Sequence, residues 1–138
     1  MFRKFLVGKI HRATVTGADV NYVGSITIDP ILLEQSGILP LEEVDVWDVT
    51  NGERLSTYCL PGARGSGQVT INGAAARRVQ PNDQVIITAF AWCDDKALGP
   101  HPVKVVVPDE RNRPARIFSY KADLATRAFA MGEERPEP

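Results

Sequence analysis

A chain of 138 residues, 43% hydrophobic and 24% charged, is long enough to bury a real core as one domain spanning 1–138. Sixteen basic against seventeen acidic side chains leave a net charge of −1, with no global pull toward nucleic acid or an anionic membrane. No run approaches the ~20 apolar residues of a membrane span. Lys9 and His11 cut short the apolar N-terminal stretch, so a soluble, cytoplasmic protein is expected.

Residues 2–16 read as one long strand, rich in β-branched and aromatic side chains, with Gly8 marking a bulge or a close backbone approach. Lys9 and His11, two apart, are expected on one face of it. Residues 16–19 break the strand, and a short extended segment carries Tyr22 to Ile28. Asp29-Pro30 has the form of an N-cap and first helical position, and Gly37 is a good stop, which predicts roughly two turns of helix between them. Val44–Val49 alternates as a strand, Asn51-Gly52 predicts a type I′ hairpin turn, and Arg54–Leu60 is the return strand. Its alternation places Arg54, Ser56 and Tyr58 on one face and Leu55, Thr57 and Cys59 on the other, if no bulge intervenes.

Arg64-Gly65-Ser66-Gly67 is a loop without the strand-to-helix context of a nucleotide-binding turn. Strands are predicted over 68–71, 84–92 and 103–107, with one helical turn at 74–77. A helix is predicted over 122–131 and a frayed, acidic tail over 132–138. Short strands with turns at roughly regular spacing make the fold class mainly β, a small barrel or sandwich with short helices. Cys59 and Cys93 read as free thiols in a reducing compartment, with a disulfide between them the alternative. Neither cysteine has metal-ligand spacing, and His11 and His101 form no HxH or HxxxH pair, so no metal site is expected.

Chemistry concentrates at Tyr22-Val23-Gly24-Ser25. Glycine leaves its carbonyl open to the hydroxyl that follows, and a serine Oγ pressed against that carbonyl can take the acyl group from nitrogen. The ester so formed breaks by β-elimination to a dehydroalanine, which hydrolyses to a pyruvoyl group. Such a reaction needs backbone held in a strained arrangement by a firm fold. As a bare dipeptide, Gly-Ser is more commonly an ordinary turn.

The chain resembles the aspartate 1-decarboxylase family, pyruvoyl-dependent lyases that make β-alanine for pantothenate and coenzyme A. The resemblance rests on Gly8-Lys9-Ile10-His11-Arg12, Tyr22-Val23-Gly24-Ser25, Asn51 through Tyr58, Arg64-Gly65-Ser66-Gly67 and Asn72-Gly73-Ala74-Ala75-Ala76. Each block alone is weak, their joint order is highly specific, and none lies beyond Trp92. The resemblance implies a six-stranded double-psi β-barrel, assembled as a homotetramer with active sites between subunits. It places self-cleavage between Gly24 and Ser25, giving chains 1–24 and 25–138, with Ser25 becoming the pyruvoyl group. That group forms a Schiff base with the substrate amine, so neither pyridoxal phosphate nor a metal is expected.

The same resemblance makes Tyr58 the proton donor, consistent with a phenol that carries its proton at neutral pH. Arg54 becomes the carboxylate anchor, a role suited to a guanidinium fork, with Lys9 a second cation. Thr57 and Gly73, Ala74 and Ala75 match substrate-binding positions, where small residues let backbone N–H groups approach a ligand. Asn72 is expected to hold the Gly24 carbonyl or the pyruvoyl oxygen, Tyr22 to line the pocket, His11 to assist processing or hydrogen-bond in the barrel, and Trp47 to form core or pocket wall. If Thr57 and Tyr58 lie on opposite faces, a bulge or a neighbouring subunit must bring one of them to the site. Two other readings remain: a pyruvoyl decarboxylase of another acidic amino acid such as glutamate, and a barrel that never processes and serves as a binding or assembly module.

Overall fold

Burial alternates along the strands and sets the architecture described for residues 1–136 by the computed structural model. The strands are β1 (Phe2–Thr14), β2 (Gly17–Asp19), β3 (Ser25–Ile28), β4 (Glu43–Asp48), β5 (Arg54–Pro61), β6 (Val69–Asn72), β7 (Gln84–Asp94), β8 (Pro100–Pro108), β9 (Pro114–Asp123) and β10 (Phe129–Glu134). One α-helix, α1 (Pro30–Ser36), and 3-10 turns at Gly73–Arg77 and Asp95–Ala97 complete the elements of the described residues. Hydrogen-bonded neighbours run β10-β9-β8-β1-β7-β4-β5-β3-β6-β2.

That order closes on itself. Only Val15 and Thr16 separate β1 from β2, and the Thr16 N–H donates to the Val69 carbonyl at 2.8 Å while the Val15 N–H donates to that of Asp83 at 2.8 Å. Counting β1 and β2 as one bent stave, the circuit β1-β7-β4-β5-β3-β6-β2 is a barrel of six staves, with β8, β9 and β10 extending outward from β1. The mainly β class and the small barrel are as the sequence indicates.

Ile10, Ile26, Ile28, Val44, Val46, Ile71 and Ile87 fill the interior, and Leu32 and Leu33 of α1 join them. Each such side chain stabilises the fold by about 1.5–3 kcal/mol relative to exposure. Asp29 caps α1 through Oδ1, which accepts from the Ile31 N–H at 3.0 Å, and Gly37 ends it in the left-handed region. The same carboxylate accepts from the N–H groups of Gly65 (3.1 Å) and Gly67 (2.8 Å). The glycine-rich loop is therefore tied to a helix cap. Gly8 serves both expected purposes: the register with β7 shifts between Leu6 and Gly8, and any side chain there would overlap the Ser36 carbonyl oxygen.

Several sequence expectations require correction. Residues 122–131 form no helix, because the Asp123 carboxylate accepts from the N–H groups of Ala125 and Thr126 and Arg127 takes a φ of 67°. The chain turns there and returns as β10, antiparallel to β9. Gly132–Glu134 of the expected tail belong to that strand, anchored by Arg116–Glu133 (2.9 Å) and Ser119–Glu134 (2.9 Å), whereas residues 137–138 lie outside the described residues.

The Asn51-Gly52 turn is not type I′, since that turn needs positive φ at both residues and only Gly52, at 79°, has it. Asn51 instead spends its side chain on Glu53 N–H (2.8 Å) and the Arg78 carbonyl (2.7 Å). Residues 17–19, expected as a break, pair in parallel with β6. Residues 22–24 are outside any strand. Both cysteines are free, and burial pushes the Cys59 thiol pKa up.

Asp48, 2% exposed, holds a second device in the β4–β5 turn. Its Oδ1 accepts from the N–H groups of Thr50 (2.8 Å) and Asn51 (3.2 Å), while buried Oδ2 finds no donor and faces the Asp83 carboxyl. Burial first, and Asp83 second, push the Asp48 pKa from 3.8 to about 6, so the pair favours holding a proton. A carboxyl pKa raised on folding stabilises the fold fully below the unfolded value, and that contribution is lost as pH rises through about 6. Asp48→Asn supplies an N–H toward Asp83 without the charge. It is expected to flatten the fall in Tm between about pH 4 and 7 and to add about 1–2 kcal/mol above that range. Thermal melts across pH check this, and an unchanged slope would remove the pair from the account.

Candidate active site

Ser25 opens β3 and is fully buried. Antiparallel register sets it opposite Asn72, the last residue of β6. Asn72 Nδ2 donates to Ser25 Oγ at 3.2 Å and to Thr27 Oγ1 at 3.1 Å. A hydroxyl that accepts from an amide keeps its own proton to donate and is fixed in direction. Asn72 thus holds the Ser25 side chain in this structure.

Gly73 completes the enclosure. Its φ is +69°, and a Cβ there would stand 2.7 Å from Gly24 Cα and 3.0 Å from Gly24 N. The backbone of the 3-10 turn is therefore pressed directly onto the Gly24-Ser25 segment, a cradle that any side chain at 73 would fill. On its other side Gly24 is open, with nothing within 4 Å of a Cβ position. The pyruvoyl group implied by the family fits this arrangement. Ser25, which the resemblance makes its precursor, is buried, hydrogen-bonded through Oγ, and flanked by a glycine whose carbonyl is unobstructed by a side chain.

A cleft of about 280 Å³ opens beside this pair, lined by Gly24, Leu55, Ser56, Thr57, Asn72, Ala74, Ala75 and Arg78. Of the six residues expected to bind substrate, Thr57, Ala74 and Ala75 line this cleft, whereas Lys9, Arg54 and Gly73 do not. A larger groove of about 420 Å³ lies near Phe5, Leu98, Leu124 and Phe129, and it offers no residue poised for acyl or carbonyl chemistry.

The β4–β5 register is uninterrupted from Glu43↔Tyr58 to Trp47↔Arg54. Alternation along β5 is accordingly strict, and Arg54, Ser56 and Tyr58 are exposed while Leu55 and Thr57 are partly buried. Arg54 and Tyr58 do not line the cleft. The Arg54 guanidinium instead stacks over the Trp47 ring, 4.5 Å from its centroid, so Trp47 is a platform for a cation on the outer face. Lys9 pairs across β1 with Thr88 and Val105 and does not line the cleft either.

His11 follows Lys9 on β1, and its Nδ1 is buried with no hydrogen-bond partner among the described residues. Burial, then Lys9 and Arg12, hold its pKa below the ordinary histidine value, which keeps the ring neutral at pH 7. Tyr22 is exposed, in the loop before Gly24. Among the described residues no group of histidines, cysteines and carboxylates is arranged to hold a metal.

Two residues of this region escaped the sequence reading. Thr27 shares Asn72 with Ser25, a relation visible only from β3–β6 pairing. Arg78 lines the cleft, and its carbonyl accepts from Asn51 Nδ2 in the β4–β5 turn. Neither residue belongs to a local motif that would single it out.

The aspartate decarboxylase family matches residues 1–115. Aspartate 1-decarboxylase of Carboxydothermus hydrogenoformans is 55% identical over 117 residues, covering 85% of this chain and 92% of that protein. Aspartate 1-decarboxylase of Neisseria meningitidis serogroup C is 52% identical over 121 residues, covering 88% and 95%. With its buried serine beneath an unobstructed glycine, this chain belongs to the aspartate decarboxylase family of lyases.

Proposed function

We propose that the protein cleaves itself between Gly24 and Ser25 and then converts L-aspartate to β-alanine and CO₂, in support of pantothenate synthesis. The observation that carries this reading is the Ser25 Oγ held by Asn72 Nδ2 at 3.2 Å, against a glycine pressed from behind by Gly73. Ser25 Oγ attacks the Gly24 carbonyl and the C–N bond breaks, leaving an ester and a free amine on residue 25. Loss of the Ser25 α-proton expels the Gly24 carboxylate, and water then releases ammonia from the dehydroalanine to leave a pyruvoyl group. Thr57, which lines the cleft with Gly24, is placed to steady the carbonyl oxygen during attack.

When formed, that group supplies the carbonyl that captures the substrate amine and takes up the electrons released with CO₂. Protein side chains do the rest. Arg54, with Lys9 as second cation, binds the side-chain carboxylate that remains in the product. Tyr58 delivers its proton to the α-carbon after CO₂ departs. Both Arg54 and Tyr58 lie on the face of β5 opposite Thr57, so we assign them to the cleft of a neighbouring copy in a homotetramer. The cytoplasm is the compartment this reaction and the free cysteines suit.

Intact mass of the denatured protein tests the reading. Chains 1–24 and 25–138, the longer one lighter by one ammonia than its serine-ended form, are expected, together with β-alanine from aspartate. A single uncleaved mass after prolonged incubation, with no product, would overturn it. Tyr58→Phe is expected to cleave normally and to lose about 100-fold in kcat. An unchanged rate would take the acid role from Tyr58.

A further inference from the structure

Arg78 is the one charged side chain bordering the cleft among the described residues, and it is neither of the cations the motifs offer. It directly follows the 3-10 turn. Its N–H donates to the Ala75 carbonyl at 3.0 Å, and its own carbonyl accepts from Asn51 Nδ2 at 2.7 Å. The backbone is thus fixed from both sides, and the side chain springs from a firm base.

The guanidinium is less committed. Nη1 lies 3.5 Å from Glu53 Oε2, and the two side chains are 59% and 48% exposed. An exposed pair at that distance contributes little and exchanges readily. A dicarboxylic amino acid entering here meets, on this copy of the chain, an otherwise neutral lining, in which a planar guanidinium fork is the natural match for a carboxylate.

We propose that Arg78 is a specificity-determining residue that exchanges Glu53 for a carboxylate of the incoming dicarboxylic substrate. The identity of that substrate rests on the decarboxylase reading, whereas the carboxylate site does not. Arg78 takes no part in the Ser25–Asn72 hydrogen bond, so chain cleavage proceeds without it.

Succinate separates binding from turnover, having two carboxylates and no amine to react. By calorimetry on the full-length protein, Arg78→Gln is expected to weaken succinate binding about tenfold, Arg78→Lys to recover part of the loss, and Glu53→Gln to tighten binding about twofold. In turnover, Arg78→Gln should raise KM for aspartate about tenfold with kcat within about twofold. Intact mass should show normal cleavage.

Wild-type protein that does not bind succinate, or an Arg78→Gln protein with unchanged succinate affinity and KM, overturns the proposal. An Arg78→Lys protein that binds succinate more weakly than Arg78→Gln also overturns it, since a retained positive charge would then contribute nothing. If Arg78→Gln misfolds, the Glu53→Gln and Arg78→Lys titrations still decide. Absence of β-alanine with Arg78-dependent succinate binding intact would remove the decarboxylase reading and leave the carboxylate site standing.

Discussion

Ser25→Ala is expected to give a single chain of full mass and no decarboxylation above background, a loss of at least about 10⁶-fold. Removing Oγ removes the proposed nucleophile of chain cleavage and the atom whose elimination would create the reactive carbonyl. The fold should survive, because alanine fits a site that a fully buried serine occupies and Asn72 retains Thr27 Oγ1 as an acceptor. The cost is about 1 kcal/mol for one lost hydrogen bond. Mass spectrometry, a β-alanine assay and a thermal melt together separate these effects. Retained turnover in this variant would eliminate Ser25 as the source of the cofactor, whatever the state of the chain.

Local chemistry explains which parts of this molecule are legible in sequence. Asp29-Pro30 and Gly37 mark α1 because capping is a contract among neighbours, and the structure keeps it. Gly8 announces a close approach because only a missing side chain permits one. Residues 122–131 mislead because their helical propensity is weaker than what pairing with β9 contributes, and propensity yields to tertiary contacts of that kind. Asn51-Gly52 misleads for a related reason. The asparagine is occupied by Arg78, a residue far along the chain, and so adopts a geometry its local sequence does not favour.

The candidate site divides in the same way. Gly24, Ser25, Asn72 and Gly73 converge because β3 and β6 pair, and the blocks containing them are recognisable in order. Arg54 and Tyr58 are equally recognisable, yet alternation on β5 sets them on the face opposite Thr57 and neither lines the cleft, although Ser56 between them does. Sequence alternation already poses that conflict, and the uninterrupted β4–β5 register excludes a bulge as its solution. A neighbouring copy of the chain is the proposed source of both.

Gly73→Ala should slow self-cleavage by about 100-fold while leaving a folded protein. Two costs combine at this position. A residue with a Cβ at φ +69° carries about 1 kcal/mol of backbone strain, and that Cβ meets Gly24 Cα at 2.7 Å. The second contact is backbone against backbone, so no rotamer change relieves it, and the Gly24-Ser25 segment must shift. Misplacing a reacting group by a fraction of an ångström to an ångström costs about 10²-fold in rate. Gly52→Ala isolates the first cost, since Gly52 has φ +79° and open space where its Cβ would stand. Both variants should lose a similar increment of Tm from strain, with Gly73→Ala losing more, and only Gly73→Ala should accumulate the uncleaved chain. Equal cleavage rates in the two would mean that the packing of Gly73 on Gly24 does not set the reactive geometry, and Asn72 alone would then have to hold it.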